Sequence, residues 1–120
     1  FVLETLDNLR KNGRLTKGQA LVTSTQRIKL RMGATPEGEI CKKGQAMSVK
    51  QALGKMVALM AADPKHEGRR LSIVHCNCLE RAFHVKELVM KQCRFGEILI
   101  SDTGGISTVY ANDGGIVVAY

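Results

Sequence analysis

The stretch Lys11-Asn12-Gly13-Arg14-Leu15-Thr16-Lys17 concentrates turn chemistry and positive charge between two helical patterns. Asn12-Gly13 can close a helix, because Gly takes φ > 0 without penalty. Thr16, with Gln19 three residues on, reads as a capping box that opens the next helix. Arg14 then sits on a stiff elbow beside a helix N-terminus, whose free N–H groups attract anions. Arg14, Thr16 and those amides together suit a carboxylate or a phosphate. The plain structural alternative is a solvated helix–helix turn with a surface Arg.

Other constellations carry less. Ile98-Leu99-Ile100-Ser101-Asp102-Thr103-Gly104 resembles the Asp-Thr-Gly loop of aspartic proteases. Such an enzyme needs two carboxylates sharing one proton, which a homodimer can supply. A match of this length is common by chance, and too little chain follows it to build a second half-barrel. His75, Cys76 and Cys78 cluster near a strand end, yet a structural zinc site wants four ligands in paired units. Buried thiols beside a strand-end His are the better reading, and all four cysteines (Cys41, Cys76, Cys78 and Cys93) are expected to be unpaired and free of metal. Neither G-x-x-x-x-G-K-[ST] nor G-x-G-x-x-G occurs, so no nucleotide signature is present.

The net charge of +7 favours an anionic ligand or partner without saying which. Lys29, Arg31, Lys42 and Lys43 flank one predicted hairpin. A basic nucleic-acid-binding domain is therefore a rival reading. It lacks a second signal: there is no Trp and little Phe or Tyr to stack bases. No apolar run reaches the length of a membrane span, and no signal peptide is recognisable. A cytoplasmic location is the expectation.

These residues need a scaffold. A chain of 120 residues is one domain by length, and its 44% hydrophobic content supports a core. Phe1-Val2-Leu3 already lies inside an apolar pattern, so the chain is expected to be a piece of a longer protein. Val2, Leu3, Leu6 and Leu9 mark one face of a short helix ending at Gly13. A second helix is expected after Thr16, with Ala20 and Leu21. Ile28 to Met32 alternates apolar and basic as a half-buried strand, Thr35-Pro36-Glu37-Gly38 turns, and Glu39 to Lys42 returns. Ser48 with Gln51 caps a helix over Val49 to about Ala62, which Asp63-Pro64 ends. A polar link, His66 to Arg70, leads to a strand at Leu71–His75. Asn77 with Glu80 caps a helix burying Leu79, Ala82, Phe83, Val89, Met90 and Cys93. Ile98–Ile100 reads as a buried strand, Asp102 to Gly105 as a loop, and Ile116–Tyr120 as a last strand after the turn at Asp113-Gly114-Gly115. The order predicts an α/β (α+β) domain, a mixed sheet with packed helices.

Taken together, these pieces resemble the C-terminal domain of the DegV family, fatty-acid-binding proteins that work with a bacterial fatty acid kinase. The likeness covers nearly the whole chain, 1–120. Leu6 to Lys17 is similar to the family's Leu-x-x-Leu-x-x-x-Gly-Arg-(Ile/Leu)-(Ser/Thr)-Lys stretch. Ile28-Lys29 precedes the hairpin, Glu37-Gly38-Glu39-Ile40 is its turn, Ala52-Leu53 falls in the next helix, and Val74-His75 ends a strand. The tail departs. The family's loop His falls at Tyr110, its Pro at Asp113, and an Arg common before the long helix falls at Met47. Gly114 survives.

The resemblance implies a two-domain protein with the acid held between an absent N-terminal α/β domain and this one. It implies a lipid-binding module, not an enzyme, that presents a long-chain fatty acid to a fatty acid kinase. Arg14, Thr16, Tyr110 and Gly114 are the implied lipid-binding residues. No cofactor or metal is implied, and no nucleic acid. The family's His helps hold the lipid carboxylate, and Tyr110 offers one hydrogen bond in its place.

Overall fold

A computed structural model of the chain describes residues 1–14 and 28–120. The helix expected after Thr16 lies outside the described residues, as does Thr16 itself. The elements are α1 (Asp7–Lys11), β1 (Lys29–Ala34), β2 (Ile40–Ala46), α2 (Val49–Ala62), a 3₁₀ turn (Pro64–His66), β3 (Arg70–His75), α3 (Leu79–Gln92), β4 (Glu97–Asp102), α4 (Gly105–Ala111) and β5 (Ile116–Ala119). This is the expected mixed α/β architecture.

β3 is the centre of a three-stranded sheet ordered β4-β3-β5, parallel to β4 and antiparallel to β5. β1 and β2 form an antiparallel hairpin with a register shift between Arg31 and Met32. One residue joins the two sheets. Val2 bridges Arg31 of β1 on one side and Ile116 of β5 on the other, antiparallel to both. This corrects the reading of Val2 and Leu3 as helical. Their burial is as expected, but only Asp7–Lys11 is helix. A short apolar run does not distinguish helix from strand, and here pairing with two neighbours decides it.

α2 follows its sequence signals closely. The Ser48 hydroxyl accepts from the Gln51 N–H at 3.1 Å, and Gln51 Oε1 accepts from the Met47 N–H at 2.9 Å. Two amide donors at the helix start are thus satisfied reciprocally. Leu53, Met56, Val57 and Met60 of α2 pack with Ala82, Val85 and Val89 of α3 against Leu71, Ile73 and Ile116 of the sheet. A second, smaller cluster lies on the other face and gathers Leu3, Leu6, Leu9, Leu30, Met32, Cys76 and Ala111.

Several expectations fail instructively. α3 is capped at Cys78 without a side-chain bond, and Asn77 takes a left-handed φ of 53° instead of capping. Its buried face is Ala82, Val85 and Val89, while Leu79, Phe83 and Met90 stand exposed. β4 is an edge strand whose Ile98 and Ile100 are half-buried against the core while its other residues are exposed, so its apolar run is not a fully buried strand. His66, placed in a polar link, is buried: its Nε2 accepts from the Arg94 N–H at 3.1 Å, and its ring packs on Phe95. Beyond the loop read at Asp102 to Gly105, the chain forms a helix, α4, over Gly105–Ala111, to which the sequence reading assigns no element.

Candidate functional site

Arg14 is positioned by the way α1 ends. The Gly13 N–H donates to the Arg10 carbonyl at 3.1 Å and the Arg14 N–H to the Leu9 carbonyl at 2.9 Å. Gly13 sits at φ 67°. This is the left-handed closure that satisfies the last helix carbonyls, and it swings the chain out so that Arg14 stands exposed just beyond α1.

Tyr110 is positioned by α4, the helix that sequence reasoning missed. Asn8 of α1 donates from Nδ2 to the Val109 carbonyl at 2.6 Å and to Asn112 Oδ1 at 2.9 Å. Ala111 anchors α4 in the second cluster. Asn112, at φ 56°, then reverses the chain toward β5. A signal for α4 was present: Ile106, Val109 and Tyr110 fall at helical spacing.

Between α1, α4 and the sheet lies an open cavity of about 350 Å³. Phe1, Leu3, Leu9, Ile40, Ile106 and Val117 supply its apolar lining. Arg14, Ser107 and Tyr110 line it as well. Two residues from opposite ends of the sequence, Arg14 and Tyr110, are therefore brought to one apolar cavity. Ile106 is 76% exposed and Val109 55%, so the apolar surface continues outward past the cavity along α4.

Gly114 is placed differently. It is not among the residues that line this cavity. It holds φ 87°, and a Cβ there would lie 2.6 Å from the Arg81 guanidinium and 2.8 Å from Glu4. Its N–H donates to the Cys76 carbonyl at 2.8 Å, and its carbonyl accepts from Arg81 at 2.6 Å. Glu4 in turn pairs with Arg81 at 2.7 Å and Lys29 at 2.9 Å. Gly114 thus lets the turn before β5 close over a charged cluster that holds the N-terminal arm to β1 and α3.

The remaining chemical candidates are accounted for by packing. His75 is buried; its Nδ1 accepts from the Cys78 N–H at 3.1 Å, which leaves Nε2 to meet Asp102 Oδ1 at 3.0 Å. Asp102 therefore ties the ends of parallel strands β3 and β4 together. The four cysteines are free thiols, Cys76 buried and the others half-buried. Burial pushes the Cys78 and Cys93 thiols up, away from the reactive thiolate. Among the described residues no group of His, Cys, Asp and Glu is arranged to hold a metal ion, and no helix is long and apolar enough to cross a membrane.

Fold and cavity together define a small α/β domain with an open apolar groove that Arg14 and Tyr110 help to line. Comparison with known proteins gives it a family. The profile described as an uncharacterised protein, DegV family, matches residues 1–120, and the chain belongs to that family. A DegV domain-containing protein of Clostridium perfringens is 33% identical over 87 residues, which cover 72% of this chain and 31% of that protein. A DegV family structure from Ruminococcus gnavus, described with vaccenic acid, is 51% identical with a TM-score of 0.88 over 98% of this chain and 42% of that one. The Streptococcus pneumoniae fatty acid kinase (Fak) B3 protein, loaded with linoleic acid, is 25% identical with a TM-score of 0.83, over 99% of this chain and 42% of that one. The chain spans less than half the length of these relatives.

Proposed function

We propose that this chain forms one wall of a binding site for a long-chain fatty acid. The rest of a longer protein, an N-terminal domain, supplies the opposite wall, and this chain is the C-terminal domain. The groove beneath Leu3, Leu9, Ile40 and Val117 takes the acyl chain. Burying each CH₂ contributes about 0.8 kcal/mol, so apolar contact supplies most of the affinity. Arg14 and Tyr110 meet the carboxylate end, Arg14 by charge and Tyr110 by one hydrogen bond. Thr16 belongs to the same elbow by its place in the sequence.

In this reading the chain is a carrier and not an enzyme. It offers the bound acid's carboxylate to a fatty acid kinase in the cytoplasm, with no cofactor of its own and no nucleic acid as partner. The observation that carries the reading is the meeting of Arg14 and Tyr110 at one apolar cavity. Its support from outside is the 51% identity to a protein described with vaccenic acid.

The test is mass spectrometry of the organic extract of the longer protein, purified without added lipid. One long-chain fatty acid per protein is expected. A lipid-free extract, together with failure to take up added fatty acid, overturns the reading. Steeply salt-dependent retention on nucleic acid in place of lipid would favour the rival instead.

A further inference from the structure

α3 carries an apolar stripe away from its buried face. Leu79 and Phe83 are 50% exposed and Met90 66%. At 3.6 residues per turn they fall on one line, with Lys86 between Phe83 and Met90. Arg81 fixes the side on which the stripe lies. Its guanidinium reaches the Gly114 carbonyl, ahead of β5, at 2.6 Å. The stripe is about half a turn round the helix from Arg81. Because the sheet is ordered β4-β3-β5, the stripe lies on the β4 side, beside the sheet edge.

β4 presents the second half of this surface. The Thr103 N–H donates to the His75 carbonyl at 2.9 Å, so Thr103 faces β3. By strand alternation Ser101 and Leu99 face β3 too, and the backbone groups of Ile98, Ile100 and Asp102 point outward. Among the described residues no strand pairs with them. Sheet edges are commonly blunted by Lys, Pro or a bulge. β4 has neither Lys nor Pro, and its register with β3 runs unbroken.

We propose that the β4 edge and the flank of α3 form one self-complementary surface, at which a second copy of this chain binds about a two-fold axis. The two β4 strands pair antiparallel with Ile100 opposite the partner's Ile100, so that one sheet runs through both copies. Asp102 then stands opposite the partner's Ile98, and Leu99 opposite the partner's Ser101, so no like charges meet. The same axis serves the helices. α3 joins parallel strands and so runs antiparallel to β4. Its 14 residues and the six of β4 each span about 20 Å, which puts the middle of one near the middle of the other. The two helices therefore lie antiparallel, with Leu79 beside the partner's Met90 and Phe83 beside the stem of the partner's Lys86. Glu80 in the first turn of α3 meets the partner's Lys91 in the last turn, and the axis repeats the pair. This charge pattern selects the occupant. An acidic or a basic partner matches one end of α3 and opposes the other, whereas a reversed copy of α3 matches both.

Sedimentation of the longer protein and of the 120-residue chain tests this. Both are expected to pass from monomer to dimer as concentration rises. Hydrogen exchange at the Ile98 and Ile100 amides should slow in step, while Ile73 in the central strand is unchanged. Glu80→Lys or Lys91→Glu alone sets like charges opposite each other at both ends, and is expected to weaken the dimer by about tenfold or more. The two together restore the pairs and most of the affinity. Phe83→Glu should leave a monomer whose Ile73 amide is as protected as before. A monomer at every concentration, a dimer indifferent to Phe83→Glu, or a double reversal no tighter than either single one overturns the proposal. So does a chain that pairs while the longer protein stays single, which assigns this face to the rest of the longer protein.

Discussion

Asn8 Nδ2 donates to Asn112 Oδ1 at 2.9 Å, and so ties the helix before the Arg14 elbow to the end of the helix that carries Tyr110. The same amide reaches the Val109 carbonyl at 2.6 Å. One side chain therefore links α1, which precedes Arg14, to α4, which carries Tyr110. Asn8→Ala is expected to cost about 1 kcal/mol in urea denaturation, the scale of part-buried hydrogen bonds. It should also weaken fatty-acid retention by the longer protein, although Asn8 does not line the cavity. Unchanged stability would show that α1 and α4 are held by apolar contact alone.

Gly114 and Gly54 form a contrasting pair. Gly114 holds φ 87°, and an added Cβ meets Arg81 and Glu4. Gly114→Ala is expected to destabilise the chain by about 1–3 kcal/mol, from backbone strain together with disruption of the Glu4–Arg81 contact. Gly54 lies inside α2 with open space around the position of a Cβ. Gly54→Ala should stabilise by about 0.5–1 kcal/mol, because Ala loses less freedom in a helix. Equal effects from the two substitutions would refute this account of Gly114.

Acid should act through Glu4. Burial pushes its carboxyl up, but hydrogen bonds and charge from Lys29 and Arg81 outweigh that and hold it below its ordinary value. A carboxylate depressed in the folded state contributes stability that is full above the unfolded value, about 4.3 for Glu. That contribution fades as pH falls through the folded value. Stability curves for the chain and for Glu4→Gln should therefore converge as pH drops below about 4.3. Parallel curves through that window would mean that the Lys29–Glu4–Arg81 cluster adds nothing to folding.

The sequence made some of this legible and hid the rest for physical reasons. α2 was readable because local signals agree: a Ser48–Gln51 cap, apolar residues at helical spacing, and Asp63-Pro64 at its end. The hairpin was readable from its alternation and its turn. The burial of Val2 and Leu3 was readable, but their strand character depends on Arg31 and Ile116, which only the fold brings alongside. α3 misled because Phe83 and Met90 are apolar yet exposed, while Ala82 and Val85 make the contacts. For the site, Arg14 was legible from the Gly13 closure. Its apposition to Tyr110 rests on α4, where two glycines hid a helix.

Arg14 and Tyr110 can be separated by what each offers a bound acid. Arg14 stands exposed beyond the left-handed closure of α1, and Tyr110 is half-buried on α4. In the proposed site the acyl chain would be held by apolar burial that neither substitution removes. An exposed charge contact contributes about 1 kcal/mol or less to binding. A contact that strengthens as negative charge develops during phosphoryl transfer counts more toward rate than toward affinity. Arg14→Ala, in the longer protein, is therefore expected to slow kinase-dependent formation of acyl phosphate by about tenfold while leaving most of the lipid in place. Tyr110→Phe removes only the hydroxyl. It should resemble Arg14→Ala if that hydroxyl has replaced the family's loop His at the carboxylate, and should have little effect if Tyr110 only packs. The measurements are acyl-phosphate formation with purified kinase and, beside it, lipid content by mass spectrometry. Phosphorylation unchanged by Arg14→Ala, or a variant emptied of lipid outright, would remove Arg14 from the head-group end of the site.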